Sequence, residues 1–560
     1  MVNLRFENGQ FIAVFAFNRD IIAVVKNAGF RWDPGRKVWW TGDVDKALNL
    51  AQDIDLPEEQ VKLLTGEKTA LAGEAQRLYE LSDATESDFD APTPVGLDLY
   101  PHQRAFCEFA SIRGNRGILC ADEMGTGKTP SSIAFSNSFP DIRKVLIITT
   151  LSTKVNWLRE WETWCTKGLR VALATSRGLP TDADVIIANY EILPKWRDCP
   201  KGLEGDPSAK NMHLDRDWDL IICDECHKIK NPQSKRTRSI LGGGPWRRGL
   251  RAKYRLFLTG TPVLNRPIEL WPIVRALDPQ NLGRNWRRFV ETYCAGFQSR
   301  YGWDTSGASN LEDLQRKLRS SIMIRRLKTQ VLEHLPPIQR QLITLPANGN
   351  KALLDAELLA YNQRQEVLDL LKTAKREIAD PDEYHRTVDR LTDESNAHFT
   401  ELAKIRKQVG LKKVPAIVKH IEDTLEQEAK VVVFLYHRDV VAEVKRAYPD
   451  ACVVTGEVTG SRRQEEVDRF VNGDARVFLG NYKACAEGLT LHAGGSARVC
   501  ILGEMDWVPG TIEQAIARVH RIGTEAENVL VHYVVFDGSL DARMAQRVED
   551  KTEIIEATLN

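Results

Sequence analysis

The sequence predicts an α/β protein with two parallel-sheet lobes, helical insertions between them and a small α+β module at the front. Three observations carry this expectation. In two separate tracts, short apolar runs alternate with amphipathic stretches; a helix-rich interval divides them; and a compact aromatic segment precedes the first. With 560 residues and about 150 per domain, three or four domains fit.

In chain order, residues 1–55 form the small module. FIAVFAF alternates like a strand, DIIAVVKNAGF predicts a short helix closing on Gly29, and FRWDPGRKVWW predicts a turn between strands. Residues 56–96 are polar and acidic and end in DAPTPVG, a helix followed by a linker. Across 97–275, the runs RGILCA, KVLIITT, DVIIANY, DLIICDE and YRLFLTG alternate with stretches such as LSTKVNWLREWETWC, the pattern of a first lobe. Residues 276–410 predict helical insertions, NKALLDAELLAYNQRQEVLDLLKTAKREI among them, with few strand signals. Alternation returns over 411–560 in VVVFLYH, ACVVTG, RVFLGN, ARVCILG and NVLVHYVV, a second lobe.

Composition narrows the function classes. Lys+Arg and Asp+Glu both number 77, so no whole-molecule field draws the chain to a phosphate polymer, and any nucleic-acid contact must use local patches. No run approaches the ~18 apolar residues of a membrane span, and MVNLRFENGQ lacks the basic and apolar regions of a secretory signal, so a cytoplasmic protein without membrane contact is expected. The ten cysteines are scattered. Cys223 and Cys226 have C-x-x-C spacing, but no second half-site exists and the pair brackets an acidic dyad, which argues against zinc.

The segment GILCADEMGTGKTPSSIA orders a strand, a glycine-bearing loop and a helix, as a phosphate-binding loop requires. Its loop runs Asp122, Glu123, Met124, Gly125, Thr126, Gly127, Lys128 and Thr129. Backbone N–H groups and the helix N-terminus would converge on the phosphates, with Gly125 and Gly127 permitting close approach. Lys128 would neutralise the transferring phosphoryl group, and the Thr129 hydroxyl would sit on Mg²⁺. Asp122 stands where the strict G-x-x-x-x-G-K-S/T pattern has its first glycine, and Pro130 is tolerable in the first helical turn. About a hundred residues on, DLIIC ends in Asp224 and Glu225, two carboxylates at the C-terminal end of a buried strand, where ligands of open α/β sheets bind. Asp224 would hold the magnesium, through water, and Glu225 would orient and deprotonate the attacking water.

With GTGKT, DECH, LTGTP and QAIARVHRIG in this order, residues 97–560 resemble helicase superfamily 2, and its SNF2 family in particular. The resemblance implies two RecA-like lobes and an ATP-driven motor on double-stranded or forked DNA. It gives Gln103 in LYPHQRAF to adenine recognition, and Thr259 and Thr261 to coupling of hydrolysis with lobe movement. Gln514, Arg518 and Arg521 match the motif that reaches across from the second lobe, the two arginines as finger candidates. A guanidinium delivered from the opposite lobe stabilises transition-state charge only when the cleft closes. IMIRRLKTQVLEHLPPIQRQL is similar to the family's segment joining the lobes, and VTGEVTGSRRQEEVDRF to its early second-lobe signature. The chain departs from the pattern at Ser131, Ile516, Ala517 and Thr524.

By the same resemblance, Ser152, Lys154, Trp157, Asn189, Tyr190 and Lys483 would line a DNA path. Residues 1–55 are similar to the HARP-type modules of annealing helicases. There Arg31, Arg36 and Lys37 stand beside Trp32, Trp39 and Trp40, a basic cluster interleaved with aromatics that suits phosphate contact and base stacking; the tryptophans equally suit the core of a small domain. The expected function is a Mg-ATP-dependent, DNA-stimulated ATPase that translocates on duplex DNA and remodels or reanneals branched structures. The alternative is a strand-separating helicase or the motor of a restriction-type system. A dead ATPase remnant is disfavoured, because Lys128, Thr129, Asp224, Glu225, Arg518 and Arg521 are all present.

Overall fold

The computed structural model describes residues 2–546 apart from 8, 9, 55, 177, 181, 198–216, 244–248, 261, 263–265, 300, 301, 333, 334, 378, 379, 459, 486 and 487. Two wholly parallel sheets dominate it. The first runs in the order Met323–Ile324, Ile118–Cys120, Ala252–Leu258, Trp218–Asp224, Val145–Thr149, Val185–Asn189, Val171–Leu173. Its central strands are buried on both faces, because a helix-bearing crossover returns each parallel strand and apolar side chains on both sides meet helices. The second sheet runs Ile338–Leu345, Val529–Phe536, Val499–Leu502, Val431–Leu435, Val477–Asn481, Cys452–Val454. It too has a core on each face.

Two features depart from the boundaries read in the sequence. The first sheet takes an edge strand, Met323–Ile324, from beyond residue 275, and Leu277, Phe289, Val290, Leu314 and Leu318 pack into that lobe's core. A two-residue strand is too short to show a period. The second sheet begins before residue 411, with Ile338–Leu345 paired in parallel along Val529–Phe536. IQRQLITL is an edge strand, largely exposed, so it lacks the continuous apolar run that marks the interior strands. The helical insertion proper is the pair Lys351–Glu377 and Pro381–Leu425, the second ending against the second sheet through Ile417 and Ile421.

The N-terminal module is a four-stranded antiparallel sheet in the order Asn3–Glu7, Gln10–Val14, Val38–Thr41, Arg31–Asp33. Its helices, Arg19–Asn27 and Val44–Asp53, begin where Asn18 and Asp43 cap free backbone N–H groups. The helix Glu58–Leu81 carries the module on the first lobe: Leu64 enters the module core, whereas Leu78 and Leu81 enter that of the lobe. Among the described residues no helix is long and apolar enough to cross a membrane.

Candidate nucleotide site between the lobes

The loop after Ile118–Cys120 opens into the helix Lys128–Ser138. Gly125 and Gly127 have φ of +85° and +82°, in the left-handed region. A methyl at Gly127 would lie 2.1 Å from Gln103 Nε2, and one at Gly125 would lie 3.0 Å from Arg521 Cβ, so a side chain at either position would also have to push its neighbour aside. Lys128 Nζ donates to the carbonyls of Asp122 and Glu123, both at 2.9 Å, and Thr129 follows in the first helical turn. The Thr126 hydroxyl donates to the Glu123 carbonyl at 2.9 Å, while His102 Nε2 donates to the Thr126 carbonyl at 2.8 Å. Gln103 lies against this loop: its Oε1 accepts from the Tyr100 N–H at 3.0 Å, and its Nε2 is 3.4 Å from the carbonyls of Thr126 and Gly127.

Asp122, expected among the nucleotide contacts, is turned away from that role. Its carboxylate is buried against Arg326, whose backbone N–H and Nε donate to Oδ1 at 2.9 and 3.1 Å and whose Nη2 donates to Oδ2. Replacing the loop's usual glycine by a buried acid demands a counter-charge, and the segment joining the lobes supplies it. Burial pushes the carboxyl up, but the Arg326 guanidinium overrides it and holds Asp122 below the usual carboxylate range.

The dyad emerges at the end of Trp218–Asp224. Asp224 Oδ2 accepts from Thr149 Oγ1 at 3.0 Å and Trp157 Nε1 at 2.8 Å, and Oδ1 accepts from the Glu225 N–H at 3.0 Å. Burial and then the adjacent Glu225 charge raise the Asp224 carboxyl. Burial opposes ionisation of Glu225 too, but hydrogen bonding and charge from His227, with Lys128 and Arg518 nearby, hold it below the ordinary range. Glu225 has φ +52°, a strained conformation for a side-chain-bearing residue and one that clusters at active sites. His227 Nδ1 lies 3.3 Å from Glu225 Oε2 and 3.2 Å from Thr259 Oγ1, which joins the LTG motif to the dyad. Thr261 lies outside the described residues.

No group of three or more His, Cys, Asp or Glu among the described residues could hold a metal ion alone. A magnesium ion needs fewer protein ligands than such a group supplies, since it takes one or two protein oxygens and completes its shell with phosphate and water. Cys223 and Cys226 are buried free thiols.

From the second lobe, the helix Pro509–Ile516 leads to both arginines. Arg518 is buried; its Nε donates to the Gln514 carbonyl at 3.0 Å, and its Nη2 reaches Met124 Sδ of the phosphate loop at 3.8 Å. Arg521 has its backbone over Gly125, but its guanidinium donates to the Leu489 carbonyl at 3.0 Å and Thr490 Oγ1 at 2.8 Å, within its own lobe.

Sequence reasoning left the cations of IMIRRLK without roles. Arg325 Nη1 donates to the carbonyls of Ala121 at 2.7 Å and Gly260 at 3.2 Å. Lys328 bridges the lobes: its N–H donates to Glu123 Oε2 at 2.9 Å and its Nζ to the His520 carbonyl at 2.9 Å. Three cations in four residues beside an apolar run was the available signal.

Most residues assigned to a DNA path face inward instead. Trp157 and Tyr190 are fully buried and hold the dyad, the first through Asp224 Oδ2 and the second by donating its hydroxyl to the Asp224 carbonyl at 2.6 Å. Lys154 is buried and donates to the Ala174 carbonyl; Asn189, also buried, donates to Glu191 Oε2 at 2.9 Å. A buried side chain with these partners cannot grip a phosphate. Ser152 is half-buried with its hydroxyl 2.8 Å from that of Thr150, and Lys483 is exposed. In the module, Arg31, Arg36 and Lys37 are all exposed. Arg36 pairs with Asp33 at 3.3 Å, Trp39 packs on the module core, and Trp32 is 48% exposed.

The chain is similar in sequence to known proteins along most of its length. Residues 102–380 match the SNF2-related domain and residues 412–523 the helicase conserved C-terminal domain. The DNA annealing helicase and endonuclease ZRANB3 of Mus musculus is 31% identical over 494 residues, covering 85% of this chain and 42% of the relative. The SWI/SNF-related matrix-associated actin-dependent regulator of chromatin subfamily A-like protein 1 of Drosophila melanogaster is 28% identical over 470 residues, covering 82% and 55%. The chain thus spans about half the length of these curated relatives. A solved Sulfolobus solfataricus SWI2/SNF2 ATPase core in complex with dsDNA is 22% identical, with a TM-score of 0.38 over 84% of this chain and 94% of that one. From the matches to both domain models, one after the other along a single polypeptide, the chain belongs to the SNF2-related family of helicase-like ATPases.

Proposed function

We propose that this chain hydrolyses ATP with Mg²⁺ as cofactor and uses the cycle to move on double-stranded DNA, remodelling or reannealing forked and branched structures. The observation that carries the reading is the meeting of both lobes over one phosphate loop, with Arg518 reaching Met124 and Lys328 joined to both Glu123 and His520. On this reading residues 1–55 are a DNA-binding module, and the lobes, with the helical insertion, form the motor. Nine described cysteines are free thiols, in keeping with a reducing, cytoplasmic compartment.

Lys128 would turn from its loop carbonyls to the transferring phosphoryl group, while Gln103, beside the loop, would take the adenine. Glu225, kept ionised by His227, would accept the proton of the attacking water. A magnesium held by Thr129 and, through water, by Asp224 would neutralise phosphate charge as it develops. Thr149 and Trp157 fix the Asp224 rotamer. Arg518 and Arg521 belong to the second lobe, so their charge reaches the phosphates only when the cleft closes, and hydrolysis is thereby tied to lobe movement. Thr259, joined to Glu225 through His227, would transmit that state. Exposed Lys483, with Ser152, would contact DNA phosphates without reading sequence.

The test measures ATP turnover with plain duplex, single-stranded and forked DNA for wild type and Glu225→Gln. Duplex and forked DNA should stimulate wild type, and the variant should bind ATP and DNA yet turn over ~10²–10⁴-fold more slowly. Turnover near wild type in the variant removes Glu225 from its role; no stimulation by any DNA removes the motor reading.

A further inference from the structure

Between the N-terminal module and the outer face of the first lobe lies a cleft of about 1080 Å³, walled by the module, the helix Glu58–Leu81 and the segment after residue 276. Its carboxylates are already engaged. Asp43 pairs with Lys46 at 3.6 Å, Asp45 with Lys68 at 2.7 Å and Glu74 with Arg116, and Asp278 accepts from the Leu282 N–H at 3.1 Å and Asn281 Nδ2 at 3.0 Å. Three arginines of the same lining are different. Arg31 of the module and Arg284 and Arg288 of the lobe are exposed, and their guanidinium groups make no hydrogen bond or ion pair among the described residues. Uncompensated cations gathered in a concave wall focus the field on whatever anion enters.

We propose that this cleft holds a short run of single-stranded nucleic acid by its phosphodiester backbone, with Arg31, Arg284 and Arg288 as the contacts. The volume lies just above the usual range for small-molecule sites, which leaves room for a few nucleotides of one strand. It is too small to enclose a duplex, whose major groove alone is about 12 Å wide. Guanidinium groups match phosphate oxygens bidentately, so binding is tight without being sequence-specific. The site divides the module's basic cluster: Arg31 lines the cleft, whereas Arg36, paired with Asp33, and Lys37 do not. One strand would touch both module and motor and fix their relative orientation at a branch point. The inference rests on the DNA-motor reading and deepens it by naming the strand and the residues that hold it.

Fluorescence anisotropy of a labelled oligothymidylate of about 15 nucleotides, titrated with the full chain at several salt concentrations, tests this. Arg284→Ala/Arg288→Ala should weaken binding about tenfold and lower the salt slope by about 1.4, two single-strand phosphate contacts, and adding Arg31→Ala should lower it further. Arg36→Ala/Lys37→Ala should leave both unchanged. Melting temperatures equal to wild type exclude misfolding; Arg284→Gln/Arg288→Gln, which removes the charges but keeps most of the side-chain bulk, replaces the alanine variant if that one melts early and should lose the same slope. The proposal is overturned if the folded double variant binds with wild-type affinity and slope, or if Arg36→Ala/Lys37→Ala is the variant that weakens. Wild-type ATPase on plain duplex is measured alongside: its failure to respond sinks the motor reading, while the cleft is still judged on the oligonucleotide.

Discussion

Asp122 of the phosphate loop and Arg326, 204 residues further along, form a buried ion pair that ties the nucleotide site to the segment leaving the first lobe. Arg326 Nη1 also donates to the carbonyls of Ala84 and His102, so one guanidinium gathers the loop, the end of the helix from the module and the Gln103 helix. Removing one partner of such a pair leaves an uncompensated buried charge, which typically costs 3–5 kcal/mol. Arg326→Met should therefore lower the unfolding free energy by about that amount in urea titrations followed by tryptophan fluorescence. Asp122→Gly, which restores the usual loop glycine, should also destabilise, and combining it with Arg326→Met should recover part of the loss. Single variants within ~0.5 kcal/mol of wild type would show that the pair contributes nothing.

The two second-lobe arginines sit unequally. Arg518 touches the loop through Met124, whereas Arg521 is held by Leu489 and Thr490, and burial together with the Arg518 charge pulls it down to about 10. The Arg518 charge disfavours the cation at Arg521, and an anion bound between the two would relieve that repulsion. Arg518→Ala and Arg521→Ala should each cut DNA-stimulated ATP turnover by ~10³ with a much smaller change in ATP affinity, because a finger acts mainly in the transition state. Equal losses in affinity and turnover, or losses that track a fall in melting temperature, would assign these residues to structure instead.

The site was legible where its chemistry needs fixed residue types close together in sequence. Gly125, Gly127, Lys128 and Thr129 stand in one loop, Asp224 and Glu225 at one strand end, and Arg518 and Arg521 in one short motif. Partnerships across long separations were not. Asp122 alone suggested a loop contact and Arg326 alone a joining segment; only folding makes them a pair. Trp157 and Tyr190 fall in motifs that the family resemblance assigns to a DNA path, yet both end on Asp224, because local sequence does not say which side of a sheet end an aromatic will fill. In the fold, alternating tracts announced the buried parallel strands, while the exposed edge strand Ile338–Leu345 and the two-residue Met323–Ile324 left no periodic trace.

A buried charge cluster fastens the helical insertion to the second lobe and gives that contact a pH dependence. Asp541 accepts from Arg406 Nη2 at 2.8 Å and Lys413 Nζ at 2.6 Å, while Glu357 Oε2 accepts from the Leu540 N–H at 3.0 Å and its Oε1 lies 3.9 Å from Arg406 Nε. All four side chains are buried. Burial and then the Asp541 charge push the Glu357 carboxyl from 4.5 up to about 7. The folded state therefore holds this proton more tightly than the unfolded chain does, so stability from Glu357 is fully present below 4.5, falls as pH rises toward about 7 and is level above that. Asp541 is shifted the other way, below 3.8, because Lys413 and Arg406 outweigh its burial, so it titrates outside this window. Glu357→Gln keeps an acceptor for the Leu540 N–H and has no charge to desolvate. Its unfolding free energy should fall less steeply across that interval than that of wild type, the remaining slope coming from acids such as the raised Asp224, and should exceed wild type at pH ~8 by up to about 3 kcal/mol. Urea unfolding at several pH values measures both slopes, and a wild-type pH slope retained by Glu357→Gln would mean that another group titrates there.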